Sequence, residues 1–141
     1  MTTKTKKILL VCALALLAAA LLFFGYRKGV ELYNTKNAEE LFSAGDYAGA
    51  RAWYEKNGSA EDIARCDYEL NREAYEAAEA QLAAGEYDAA RLAFEALGDF
   101  EDAADRALEC SFLKARALTD AGSYTGALDV LAVLPEGYAG A

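Results

Sequence analysis

Histidine is absent from the 141 residues. That removes the commonest general base, imidazole metal ligands and Ser-His or Cys-His nucleophile pairs. An enzyme built from carboxylates, Lys, Tyr or Cys stays open as a minor alternative, but no nucleophile, base and metal cradle converge in the sequence. Proline occurs once and no long alternating Val/Ile/Thr run appears. Abundant Ala and Glu therefore meet little competition from strand formers or helix breakers. Basic residues are scarce beyond the N-terminus: residues 26–141 carry 11 Lys+Arg against 23 Asp+Glu. Such a surface repels phosphate backbones, so nucleic acid is excluded as an expected partner.

The cysteines, Cys12, Cys66 and Cys110, are too few and scattered for a disulfide framework or a zinc site. Cys66 and Cys110 each precede an aromatic residue by two positions, in CDY and CSF. They read as small buried thiols at equivalent repeat positions. Glu101, Asp102, Asp105 and Glu109 cluster without the alternating ligands and turn glycine of an EF-hand loop. They read as carboxylates on the first turns of a helix. No cofactor or metal is expected.

What the chain does have is one long apolar run. A basic tail, residues 1–7, precedes ILLVCALALLAAALLFF at 8–24, and GYRKG follows. Seventeen helical residues span about 26 Å, a little short of a hydrocarbon core. Gly25 and the interfacial Tyr26 extend it, and Arg27 and Lys28 mark its far edge. The reading is a transmembrane or signal-anchor helix over 8–28. Ala18-Ala19-Ala20 leaves a cleaved signal peptide, hence secretion, as the alternative. A short cationic tail is costly to translocate, whereas Asp and Glu add little penalty. The N-terminus is therefore expected inside and the acidic domain outside.

After the anchor the chain repeats itself. Gly45, Gly85 and Gly122 align, with Tyr47, Tyr87 and Tyr124 two residues on, and Ala50, Ala90 and Ala127 five residues on. Tyr54, Phe94 and Leu131 come at plus nine, and Ala38, Ala78 and Ala115 at minus seven. Gly suits the left-handed residue that closes a helix. Asp46, Glu86 or Ser123 then stands at the start of the next helix, where an acid or hydroxyl meets free N–H groups. Tyr is expected to pack back over the turn. The small residues let two antiparallel helices approach, and the large residue at plus nine reaches the next one. Helices are predicted at 6–28 running into 30–44, then 47–57, 60–84, 87–97, 100–121 and 124–134. Ser59 with Asp62 approximates a capping box, and Asp99 opens the fifth segment. Trp53 is expected in the core.

AEELFSAGDYAGARAWY at 38–54 and AEAQLAAGEYDAARLAF at 78–94 resemble the tetratricopeptide repeat (TPR) family; ARALTDAGSYTGALDVL at 115–131 is a looser copy. The units stand 40 and 37 residues apart, longer than that family's usual period. Gln81 occupies a position where a large apolar residue is customary. The resemblance covers residues 31–134, with 135–141 as a tail or the start of a further repeat. It implies an all-α fold: a short right-handed helical-hairpin solenoid behind the anchor. ALGDFEDA at 96–103 also resembles repeats of extracytoplasmic proteins in Gram-positive bacteria, which implies a bacterial cell membrane.

In TPR proteins the first helix of each hairpin lines a groove that holds peptides or partner helices. That implies groove positions at Glu39, Arg72, Tyr75, Glu79 and Arg116. The last helix is apolar around most of its circumference, where a terminal repeat normally turns a polar face outward. Leu128, Val130, Val133 and Leu134 are therefore expected to make an open-end contact, with self-association or with a partner. The expected function is a membrane-tethered, non-catalytic interaction module for a protein or peptide. A structural spacer, or part of a longer TPR array or sensor, is the alternative.

Overall fold

Three turns of the chain close in the same way. Gly45, Gly85 and Gly122 take φ values of 82°, 78° and 78°. Each donates to the carbonyl three residues back, Phe42, Leu82 or Thr119, at 2.9–3.0 Å. The next amide reaches five residues back, to Leu41, Gln81 or Leu118, at 2.8–3.0 Å. This paired ending needs a left-handed residue, which glycine adopts without a Cβ penalty.

Between such turns the computed structural model, which describes residues 3–138, is helical. Among the described residues there are six helices and no strand. They are α1 (Thr3–Ser43), α2 (Tyr47–Asn57), α3 (Ala60–Ala83), α4 (Tyr87–Leu97), α5 (Ala103–Asp120) and α6 (Tyr124–Leu131). Positions 1–2 of the basic tail and 139–141 of the C-terminal tail lie outside the described residues. The chain divides into two compact units, Met1–Asp67 and Tyr68–Ala141, the division falling inside α3.

The apolar run and the helix that enters the first glycine turn are one element. α1 runs from Thr3 to Ser43 without interruption. Gly25 and Gly29 remain helical because nothing nearby asks for a turn. Among the described residues α1 is the one helix long and apolar enough to cross a membrane, and its most apolar stretch is entirely unburied.

In unit 1, Ala38, Ala50, Tyr54 and Cys66 form the buried core, with Leu41, Phe42, Trp53 and Ile63 packed around it. Trp53 is only half-buried, edge-on to Tyr33 at 5.9 Å between ring centres. It is a margin of the core rather than its centre. Tyr47 does pack back over the turn, edge-on to Phe42 at 5.0 Å. Asp46 caps α2, its Oδ1 accepting from the Gly49 amide at 2.9 Å.

In unit 2, Ala78, Ala90, Phe94, Ala103, Ala107 and Cys110 form the core. Glu86 and Ser123 stand at the cap positions of α4 and α6 without a side-chain cap bond. Tyr124 is exposed, so the third Gly-x-Tyr turn lacks the packing of the first. Ala115 and Ala127 are buried like their counterparts.

Two predicted boundaries are corrected. α5 begins at Ala103 rather than 100, because Glu101 takes φ 48°, a left-handed conformation that no α-helix contains. Asp102, not Asp99, stands at the N-cap, and its side chain makes no cap bond. α6 stops at Leu131 rather than 134, and the Leu134 amide turns back to the Leu131 carbonyl at 3.0 Å. Ser59 does begin α3, but its hydroxyl donates to the Asp62 carboxylate.

Candidate functional site

α3 carries apolar and polar residues on the same stretch of surface, because residues three and four apart are neighbours on a helix. Tyr68, Arg72, Tyr75, Glu76 and Glu79 follow that spacing. Opposite them the 98–102 connection holds Phe100 against the Tyr68 and Tyr75 rings, at 5.4 and 6.2 Å between centres. The result is a recess of about 670 Å³ in unit 2, walled by these three aromatic residues, with Arg72, Glu76, Glu79, Glu101 and Asp102 completing the lining. Four carboxylates face one guanidinium there.

The recess is braced from within. The Tyr75 hydroxyl donates to Asp102, and its ring lies edge-on to buried Phe94 at 5.2 Å. That hydrogen bond, together with burial, pushes the Tyr75 hydroxyl up to about 12. Glu79 accepts from Arg106 Nη2 at 2.7 Å, and Arg106 also donates to Glu109. Burial works against the Arg106 charge, but its hydrogen bonds to Glu79 and Glu109 hold it above the ordinary arginine value. Its Nε is buried and has no hydrogen-bond partner. Arg72 bonds Glu69 and Glu76, each at 2.9 Å.

Unit 1 repeats this bracing. Glu39 accepts from the Tyr54 hydroxyl and from Arg65 Nη2, the latter at 3.2 Å. The Arg65 guanidinium lies 3.9 Å from the Phe42 ring centre. Burial and the bond to Glu39 both raise the Tyr54 hydroxyl above its ordinary value.

Of the five predicted groove residues, Arg72, Tyr75 and Glu79 come together in the recess. Glu39 belongs to unit 1, and its carboxylate is engaged by Tyr54 and Arg65. Arg116 is exposed on α5 and does not line the recess. Sequence reasoning missed Tyr68, Phe100 and the two bracing arginines. Arg65 and Arg106 follow their glutamate partners by 26 and 27 residues, so a fixed repeat offset does not pair them.

The open-end residues divide. Val130, Val133 and Leu134 line a second cavity, about 460 Å³, shared with α4 and α5 residues such as Arg91, Leu108 and Lys114. Leu128 does not line it and is 65% exposed. Tyr138 folds back edge-on to Phe112 of α5 at 6.1 Å.

Cys66 and Cys110 are free and buried, and burial pushes both thiols up. They are not equivalent. The Glu–Arg pairs put Arg65 in register with Arg106, which matches Cys66 to Ala107 and leaves Cys110 nearly a turn further on.

No protein-family model, curated protein or solved structure matches the chain. The TPR resemblance therefore rests on the repeat residues themselves.

Proposed function

We propose that this protein is a membrane-tethered, non-catalytic interaction module, a short right-handed TPR-like hairpin solenoid whose recess in unit 2 receives a basic peptide segment. Residues 8–28 are the tether, with the N-terminus inside a bacterial membrane and the repeats outside; cleavage and secretion is the alternative arrangement. The glycine ending and buried alanines, repeated three times, and the Glu–Arg brace, repeated twice, support a repeat architecture.

The observation that carries the partner's chemistry is the recess lining. Tyr68, Tyr75 and Phe100 offer aromatic surface beside Glu76, Glu101 and Asp102. An Arg or Lys side chain satisfies both, its cation over a ring face and its donors on carboxylates. An acidic segment meets like charge, and a purely apolar one leaves the carboxylates unpaired. Exposed Leu128 supports a further contact, self-association through α6.

The test uses the full chain in nanodiscs and fluorescent peptides rich in Arg and Lys. Binding is expected to weaken with added salt. Tyr68→Ala and Glu101→Gln are each expected to reduce affinity about three- to tenfold, from losses of ~1 kcal/mol. Equal binding of an acidic control peptide, or unchanged binding by both variants, defeats the reading.

A further inference from the structure

The far end of α2 lies against α1 just beyond the apolar run. Asn34 and Asn57 join the two helices through their side-chain amides at 2.9 Å. Asn57 also donates to the Glu31 carbonyl at 3.1 Å and to Thr35 Oγ1 at 3.0 Å. These bonds fix the α2 terminus at one height along α1. A recess of about 190 Å³ lies there, lined by Tyr26, Arg27, Val30, Glu31, Lys56 and Asn57. At about 30 Å³ per water, that is room for roughly six waters.

The height follows from helix geometry. From Phe24, the last residue of the apolar run, Arg27 lies about 5 Å further along and Glu31 about 10 Å. The headgroup layer on each side of a bilayer is about 5–8 Å thick. If 8–24 spans the hydrocarbon, the recess opens into that layer, and Lys56 can extend its ammonium further toward it. Tyr26, which lines the recess, is 72% exposed. Amphipathic aromatic residues at this depth favour the interface. Glu31 also lines the recess, and Lys28 answers its charge at 3.3 Å. Arg27 and Lys56 are the two cations of the lining, and the Lys56 ammonium rests over the Trp53 ring at its margin.

We propose that the recess between Arg27 on α1 and Lys56 on α2 binds the phosphate of an anionic phospholipid, seating the base of unit 1 on the bilayer surface. This rests on the membrane-tether part of the reading above and is independent of the peptide recess. It gives the long α1 helix a second attachment, so that the repeat is held at the membrane by headgroup contacts as well as by its span.

Trp53, the sole tryptophan, is a built-in reporter, because the Lys56 ammonium lies 3.3 Å from its ring centre. The full chain is reconstituted into vesicles of phosphatidylcholine with increasing phosphatidylglycerol. Trp53 emission is expected to change with the anionic fraction. Lys56→Gln should raise the fraction needed for half the response about fivefold, and Lys56→Arg should preserve it. Lys36→Gln is the control: Lys36 lies nine residues past Arg27, about 14 Å further from the hydrocarbon, and is expected to leave the response unchanged. Circular dichroism confirms that each variant keeps its helices. A Trp53 signal indifferent to phosphatidylglycerol, in chains that resist alkaline extraction, overturns the lipid site while the tether stands. Extraction of the chain by alkaline carbonate overturns both. The same signal from inorganic phosphate added to phosphatidylcholine vesicles overturns a lipid in favour of a soluble anion.

Discussion

Tyr75 ties a wall of the recess to its floor with a single hydroxyl. Because the hydroxyl donates its hydrogen bond to Asp102 and burial adds to the effect, its folded value rises from 10.0 to about 12. A group raised on folding contributes stability that is complete below its unfolded value and disappears as pH climbs through its folded value. The Tyr75–Asp102 bond should therefore stabilise unit 2 below pH 10 and stop doing so near pH 12. Urea unfolding of the protein and of Tyr75→Phe, compared across that interval, should show a gap in midpoint that closes as pH rises. A gap constant with pH would mean that the hydroxyl is not held by Asp102. Glycine acts as locally, through the backbone alone. Gly45 takes φ 82° with open space around its Cα, so Gly45→Ala meets no clash and costs only the left-handed backbone penalty, about 1–2 kcal/mol. Thermal unfolding would register it as a lowered midpoint.

Helix approach depends on the small residues between the turns. Ala50 and Ala90 are fully buried, each in the core formed with the aromatic residue four positions on. Ala90→Leu adds three carbons to a filled site and should destabilise by about 1–3 kcal/mol. The neighbouring Ala89 is exposed, and Ala89→Leu should change stability by less than about 0.5 kcal/mol. Denaturant midpoints of the two variants check this directly; equal losses would mean that α4 is not packed on the face assigned to it. This level of organisation was legible in the residues. α2 and α4 begin and end where the Gly-x-Tyr pattern places them, because turn glycine and buried alanine are local requirements with local signatures. The Glu–Arg braces were not legible. The stretch from Gly98 to Arg106 is one residue longer than that from Gly58 to Arg65, so a fixed offset of 40 sets Asp105 opposite Arg65. The extra residue belongs to the 98–102 connection, where Glu101 turns left-handed and Phe100 swings onto Tyr68 and Tyr75. Three of the eight residues that line the recess come from that connection, and its conformation follows from packing between helices that no local pattern encodes. The three groove residues on α3 could be named in advance because they share one helix face; their partners on 98–102 could not.

For the whole molecule, the question is what surrounds α1, and the three cysteines can answer it separately. Cys12 is exposed on the protein's own surface, in the apolar run, while Cys66 and Cys110 are buried in the cores of units 1 and 2. Thiolate is the reactive form, and both burial in protein and burial in hydrocarbon suppress it. If α1 spans a bilayer, a hydrophilic maleimide should label none of the three in intact vesicles. Urea should unfold the helical units and release Cys66 and Cys110 while lipid still shields Cys12. Sodium dodecyl sulfate should then release all three, as mass spectrometry of the labelled chain would show. Each departure points to a different arrangement. Immediate labelling of Cys12 in the native state would mean that the apolar helix lies in water, or in a pore, and the tether would be lost as an explanation. A mature chain without Cys12 would mean that the segment is removed, leaving a secreted repeat. Release of Cys66 before Cys110 in graded urea would mean that the units unfold separately, with unit 1 less stable despite its continuity with the apolar stretch of α1. The one-step release of both would mean that α3, which carries residues of both units, couples their unfolding.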